Sequence, residues 1–410
     1  MEYKVYGCKV NKFYLNKWIA YLESQNQLDD DIFLIASCVV TDRAKMKWVK
    51  EIIEQVNKWK RVFLLWCWSI TKWKATPRED FFSYYPELKP FEKSITLLPE
   101  DPLEESWWFS FKMPGQKLWT KNYVIIQNWC DNHCSFCLTI FKRGPHRNRP
   151  LDEIIQEIHQ IEEAWWKEIV LTWINLAAWW CSNTSHSEES KFNELLNAII
   201  KETTVPRIRI SSLDPQYLND EFFEIVSDKR FCPHFHFSIQ SFSDKILKLM
   251  NRAYSSEKLD YVLKSIRNLN RDDKEYISIW ADIITGFAGE TDEDFKITCD
   301  WVKKYRITKL HAFPFSDHHK AEKIPASLLP NQVPQEIRKE RNRKLIEIGD
   351  EVRDQFIVEN YWRKANVLIE EVKNWKSKWW TDNYLQILLD KEYKSWELVE
   401  VEVNENNCIF

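Results

Sequence analysis

The sequence predicts an α/β protein with three parts: an N-terminal parallel α/β domain, a central partial (β/α)6 barrel and a small C-terminal β-barrel. Three observations carry that expectation. The first hundred residues repeat an apolar strand that ends in a cysteine, at Cys8, Cys38 and Cys67, with intervals of 30 and 29 residues. From residue 121 onward, six apolar, strand-like runs alternate with helical stretches. Such alternation builds parallel sheets with helical crossovers. After residue 365 short strand-like runs follow one another without helices between them, which suggests a small barrel. The expected boundaries are 1–104 for the first domain, 105–120 for a linker, 121–356 for the second domain and 357–405 for the third.

Composition narrows the classes. The chain has 410 residues, 44% of them hydrophobic, which is enough for two or three cores. A net charge of −4 excludes an overall basic field, so any contact with nucleic acid must be local. No run of eighteen apolar residues occurs, and the start, Met-Glu-Tyr-Lys-Val, lacks a signal-like apolar stretch. A cytoplasmic protein with no membrane partner is expected. Ten cysteines in that compartment point to metal or redox chemistry before disulfides.

The elements follow in order. In the first domain, 4–8, 32–38 and 62–67 read as strands, and 12–24 and 43–59 as helices. Parallel strands end along one edge, so the three thiols can converge there. Six prolines, from Pro77 to Pro114, mark 75–120 as a helical tail and linker. In the second domain the strands are 122–128, 168–174, 207–212, 234–240, 278–285 and 307–315. Helices lie near 151–164, 188–202, 215–227, 255–269 and 291–305, with one amphipathic helix at 334–357. Six such repeats suggest a partial parallel barrel. The last domain has strands at 366–372, 384–389 and 397–403.

Cys130, Cys134 and Cys137 form a C-x3-C-x2-C run in the loop after strand 122–128. α/β sheets and barrels carry their chemistry at strand carboxyl ends. Three close thiolates can hold three irons of a cubane and leave the fourth open to a small molecule. Zinc is the alternative, although its ligands more often come as two C-x2-C pairs. Cys8, Cys38 and Cys67 repeat the same logic. Cys181, Cys232, Cys299 and Cys408 have no matching spacing and read as structural.

One feature is anomalous. There are 6 Gly and 22 Trp, where average usage gives glycine roughly 7% of residues. Trp66 and Trp129 precede cysteines, Trp173 ends a strand, and pairs stand at 165–166, 179–180 and 379–380. Tryptophan cannot supply the positive φ or close backbone approach that glycine supplies. Some bacterial lineages read UGA as glycine, and translation with another code prints tryptophan. The alternative is a genuinely tryptophan-rich surface.

The central cysteine run, followed by Arg143-Gly144 and Arg147-Asn148-Arg149, resembles the radical S-adenosylmethionine methylthiotransferases. Gly7-Cys-Lys-Val-Asn11, Ser37-Cys-Val-Val-Thr-Asp42, Trp66-Cys67, Ser238-Ile-Gln-Ser241 and Asp282-Ile-Ile-Thr-Gly-Phe-Ala-Gly-Glu-Thr291 are similar to that family's landmarks. The resemblance spans nearly the whole chain, including a TRAM-like C-terminal module. The first two motifs resemble the branch acting on N6-threonylcarbamoyladenosine in tRNA. The chain departs from the family at 66, 129 and 173, usually Gly, at Ala36, usually Asn, and at Ile140, usually Pro.

The resemblance implies two 4Fe-4S clusters and S-adenosylmethionine. Cys130, Cys134 and Cys137 would hold the cluster that binds and cleaves S-adenosylmethionine. Cys8, Cys38 and Cys67 would hold the cluster that delivers sulfur to C2 of the adenine. An electron donor of flavodoxin or ferredoxin type is implied, and the sulfur donor is left open. Phe136 is a candidate to support the cofactor adenine, or it only packs the loop. Asn175, Ser212, Gln240 and Asp282 stand at or near strand ends. They are candidates to bind the cofactor, or they make structural hydrogen bonds. Arg363, Lys364, Lys373, Lys376 and Lys378 are candidates to bind RNA phosphates, or they form a solvated face. The same clusters could serve an isopentenyladenosine- or ribosomal-protein-modifying enzyme. An iron–sulfur electron-transfer protein is the distant alternative.

Overall fold

A computed structural model describes residues 2–6, 9–37, 42–65, 69–71, 74–99, 122–128, 130–138, 146–181, 190–317, 324–369, 377–389, 393–394 and 397–409. The chain divides into two compact units. One contains Met1–Trp119, Asn128–Arg149 and Ser316–Leu328; the other contains Thr120–Gln127, Pro150–Phe315 and Leu329–Phe410.

The first unit is built on β1 (Glu2–Val5), α1 (Lys9–Ser24), β2 (Ile32–Ala36), α2 (Asp42–Asn57), β3 (Arg61–Leu65), α3 (Arg78–Tyr84) and β4 (Ile95–Leu97). The strands form one parallel sheet in the order β1-β2-β3-β4. β2 is buried along its whole length. Its sequence, Ile-Phe-Leu-Ile-Ala, shows the unbroken apolar run of a strand covered on both faces. β4 lies inside the stretch expected to be a helical tail. Ile95 and Leu97 point into the core and Thr96 points out, so three alternating residues complete the sheet edge.

The second unit begins with β5 (Asn122–Ile125), α4 (Leu151–Glu163), β6 (Glu168–Thr172), α5 (Phe192–Glu202), β7 (Arg207–Ile210) and α6 (Asp220–Ile225). It continues through β8 (His234–Gln240), α7 (Asp244–Leu249), α8 (Ser256–Arg267), β9 (Ser278–Thr285), α9 (Asp292–Lys304), β10 (Ile307–Pro314) and α10 (Gln335–Glu359). β5-β6-β7 and β8-β9-β10 are parallel ladders. The parallel bridges Ile208–Phe231 and Leu213–Phe237 link them. The six strands thus follow one another in chain order, as expected of a partial (β/α)6 barrel. The helices cover the sheet by apolar stripes. α4 buries Ile154, Ile155, Ile158 and Ile161, the i, i+1, i+4, i+7 spacing of one helical face. Each such side chain contributes about 1.5–3 kcal/mol when fully buried. α9 starts with a capping box between Thr291 and Asp294. Gly286, at φ +68°, turns the chain after β9. A Cβ there would stand 2.5 Å from Arg338 Cγ on α10, so any side chain would push that helix away.

The same unit ends in four antiparallel strands, β11 (Lys364–Leu368), β12 (Ser377–Thr381), β13 (Gln386–Leu389) and β14 (Leu398–Glu402). Their order is β13-β12-β11-β14. Val367, Trp379, Leu385, Ile387 and Val403 form their core together with Phe356 and Ile357 of α10. β12 has no counterpart in the sequence expectation.

Arg209 of β7 fastens this small sheet to the parallel strands. Its Nε donates to Glu168 Oε1 of β6 at 2.9 Å. Its two terminal nitrogens donate to the carbonyls of Asp382 and Thr381, at 2.6 and 2.9 Å. Its guanidinium also lies over the Tyr384 ring, 4.0 Å from the centroid. Arg207 Nε is 2.8 Å from Glu168 Oε2, close enough for charge attraction though not aligned for a hydrogen bond. No helix among the described residues is long and apolar enough to cross a membrane.

Candidate active site

The cysteine loop belongs to the first unit. Cys134 is buried, Cys130 and Cys137 are half-buried, and none of the three is in a disulfide. The loop closes as a tight turn in which Cys137 N–H donates to Cys134 O at 3.1 Å. Asn132 N–H points at Cys130 Sγ from 3.4 Å. An amide aimed at sulfur favours the thiolate, the form that ligates metal. Asp131 Oδ1 accepts from His146 N–H at 2.8 Å, and Ser135 O accepts from Ala326 N–H at 2.9 Å. The loop is therefore held at both flanks while its sulfurs stay free of disulfides. That donor set fits a cubane corner site. Phe136 is half-buried in the same turn.

Cys8, Cys38 and Cys67 lie outside the described residues, as do Trp66 and Trp129. The chain leading to each cysteine is described. Tyr6 N–H donates to Ala36 O at 2.9 Å, and Ser37 N–H to Leu65 O at 3.0 Å. The buried Asn11 side chain bridges Tyr6 O and Ser37 O at 2.6 and 2.7 Å. The carboxyl ends of β1, β2 and β3 are thus tied side by side, one or two residues before each cysteine. Cys181, Cys232, Cys299 and Cys408 are all buried. Burial raises the thiol pKa of Cys232 and Cys299 and pushes that of Cys408 up to about 11.

In the second unit the four polar candidates separate. Ser212 and Asp282 come together, Ser212 Oγ donating to Asp282 Oδ2 at 3.3 Å. Two residues that the sequence reading missed join them. His236 Nε2 of β8 and His311 Nδ1 of β10 lie 2.9 and 3.1 Å from Asp282 Oδ1. Asp282 sits on the middle strand, β9, paired directly with His311. Burial pushes its carboxyl pKa up, but the charge and hydrogen bonds of His236 and His311 outweigh that and hold it well below the usual range. The available signal was periodicity: 236, 282 and 311 can share one face only if the three strands are in register.

Asn175 follows β6 and is 2% exposed. Neither its amide nitrogen nor its amide oxygen meets a hydrogen-bond partner among the described residues. A buried amide in that state is costly and is suited to an incoming polar ligand. Gln240 ends β8 at φ +69°, a left-handed conformation that costs a non-glycine residue about 1–2 kcal/mol. Such strain concentrates where a side chain must be aimed.

The basic candidates differ among themselves. Arg363 is 8% exposed, and its guanidinium donates to Asp382 Oδ2 at 3.0 Å and covers the Tyr276 ring at 4.8 Å. Those contacts occupy it in holding the small sheet. Lys364 is exposed, 3.1 Å from Glu400 Oε1. Lys378 lies on β12, its side chain outside the described set. Lys373 and Lys376 lie outside it altogether.

Residues 124–302 match the model of the Radical SAM superfamily. The chain is 31% identical to the threonylcarbamoyladenosine tRNA methylthiotransferase MtaB of Rickettsia prowazekii, over 71% of this chain and 67% of that protein. It is 29% identical to the protein of that name from Thermotoga maritima, over 90% and 86%. It is 28% identical to the tRNA-2-methylthio-N(6)-dimethylallyladenosine synthase of Aquifex aeolicus, over 90% and 88%. With the thiol loop, the parallel six-stranded unit and similarity over most of the chain in agreement, the chain belongs to the radical S-adenosylmethionine methylthiotransferases, enzymes whose cofactors are 4Fe-4S clusters and S-adenosylmethionine.

Proposed function

We propose that this enzyme methylthiolates C2 of N6-threonylcarbamoyladenosine in tRNA. The observation that carries the reading is the loop of three undisulfided thiols, Cys130, Cys134 and Cys137, with a backbone amide directed at one sulfur. Those residues would hold one 4Fe-4S cluster, and Cys8, Cys38 and Cys67 the second. When bound, these groups and S-adenosylmethionine supply a radical that takes hydrogen from C2 and the sulfur that replaces it. The protein's own residues then bind and orient. Asn175 offers a buried amide whose two ends meet no hydrogen-bond partner among the described residues. Asp282, flanked by His236 and His311, offers a fixed carboxylate that Ser212 steadies. Phe136 of the first unit and Gln240 of the second are the remaining candidate cofactor contacts. Lys364, Lys373, Lys376 and Lys378 are the candidate phosphate contacts, while Arg363 holds the small sheet together. The domain limits 1–104, 121–356 and 357–405 remain our functional division of the chain, with an electron donor of flavodoxin or ferredoxin type.

Similarity to both tRNA branches leaves the nucleoside as the point to test. Anaerobically reconstituted enzyme, S-adenosylmethionine and dithionite should release 5′-deoxyadenosine and convert tRNA carrying N6-threonylcarbamoyladenosine, read by nucleoside mass spectrometry. Conversion only of tRNA carrying isopentenyladenosine would overturn the branch. Cys134→Ala should abolish 5′-deoxyadenosine release; retained release would overturn the thiol assignment.

A further inference from the structure

Ten described residues other than glycine have positive φ, and four of them are tryptophan: Trp59, Trp165, Trp180 and Trp362. Three others are asparagine, Asn26, Asn251 and Asn331, the side chain that best tolerates this conformation after glycine. Tryptophan is among the least suited.

The local geometry identifies what the positions require. α2 ends with Trp59 N–H donating to Val56 O at 2.9 Å and Lys60 N–H to Gln55 O at 3.1 Å. α4 ends with Trp165 N–H donating to Glu162 O at 2.8 Å and Trp166 N–H to Ile161 O at 3.2 Å. Both are Schellman closures, whose left-handed residue is usually glycine. Asn26 and Asn251 occupy the same position after α1 and α7, with the same paired bonds. Three of the four rings bring little packing in return, and that of Trp180 meets the Trp179 ring at 5.4 Å. Trp59 is 90% exposed, Trp165 78%, Trp362 73% and Trp180 44%. A large apolar ring in solvent, on a backbone that penalises any Cβ, is unfavourable twice over.

The neighbours behave in the opposite way. Trp179 is 3% exposed with φ −56°. Trp166 does not have positive φ. Trp301, inside α9, packs its ring against Phe242 and Tyr305 at 5.0 and 5.2 Å. In the doublets 165–166 and 179–180 the backbone therefore separates one member from the other.

We infer that Trp59, Trp165, Trp180 and Trp362 are glycine in the polypeptide made by the source cell, their codons being UGA read as glycine, and that Trp166, Trp179 and Trp301 are true tryptophan. This extends the composition anomaly to positions fixed by φ and is independent of the proposed function. Trp173 is buried and not left-handed, so its backbone does not demand glycine.

The test is the codon at each position, together with a peptide mass map of the protein isolated from its own cells. UGA and glycine mass are expected at 59, 165, 180 and 362, with UGG and tryptophan mass at 166, 179 and 301. UGG or tryptophan mass at any of the first four overturns the inference. Glycine at any of the last three overturns it too, because φ would then not be what divides the set. Expressing the unaltered gene in a host that stops at UGA gives a second readout. The product should end at or before codon 59, and a full-length chain would refute the assignment.

Discussion

Replacing Glu168 with Gln tests how the small C-terminal sheet is held. Glu168 is fully buried, and its two partners, Arg209 and Arg207, have side chains only 1% and 7% exposed. Removing one member of a buried pair costs about 3–5 kcal/mol, because the charge left behind stays out of water. Arg209 would retain the carbonyls of Thr381 and Asp382, so the lower end, about 3 kcal/mol, is expected. That cost falls on the attachment of the small sheet rather than on the whole chain, since large multi-unit proteins do not unfold in one step. At about 1.4 kcal/mol per decade, local opening should rise roughly 100-fold. Limited proteolysis at low protease, read by mass spectrometry of fragments near residue 362, measures that opening. Arg209→Met should reproduce the effect, and the double variant should fall well short of the sum. Cleavage less than about threefold faster in Glu168→Gln would refute the reasoning, because the carbonyl contacts alone would then suffice.

Asn175→Leu should stabilise the ligand-free protein by about 1–3 kcal/mol, since it removes a buried amide that has no hydrogen-bond partner among the described residues, while weakening S-adenosylmethionine binding at least tenfold by calorimetry; unchanged affinity would exclude Asn175 from the cofactor site. Asp294 is a pH reporter for α9. Burial raises its pKa, but Lys245, Ser243 and Thr291 pull it down to about 2. Its folded value thus lies below the unfolded value of about 3.9. The stabilisation is complete above pH 5 and is lost as pH falls from about 4 toward 2, roughly 2 kcal/mol in all. The urea midpoint should fall further between pH 5 and pH 3.5 in wild type than in Asp294→Asn; equal falls would rule out this source.

Much of the fold was legible because its strands are apolar runs too short for helices, as in Ile-Phe-Leu-Ile-Ala of β2 and His234–Gln240 of β8. β12 was missed because Ser-Lys-Trp-Trp-Thr alternates poorly and its partner strands come from both sides of it in the chain. β4 was missed because the prolines around it read as linker. The site was legible where chemistry is local, as in the cysteine run. It was not legible where it depends on register. Nothing local in His236 or His311 shows that both reach Asp282. Arg363-Lys364 reads as one basic pair. Only Asp382, nineteen residues later, turns the first of them inward and leaves the second in solvent.

The threading of the two units has a consequence during synthesis. The loop with Cys130, Cys134 and Cys137 groups with residues 1–119, yet also with 316–328, through contacts such as Ala326 to Ser135. The ribosome must add the intervening stretch before that last wall exists, a wait of about 10–40 s at ordinary elongation rates. Until then the nascent thiols stand on an unfinished surface, open to oxygen. A fragment cut after residue 149 would keep them in that state permanently.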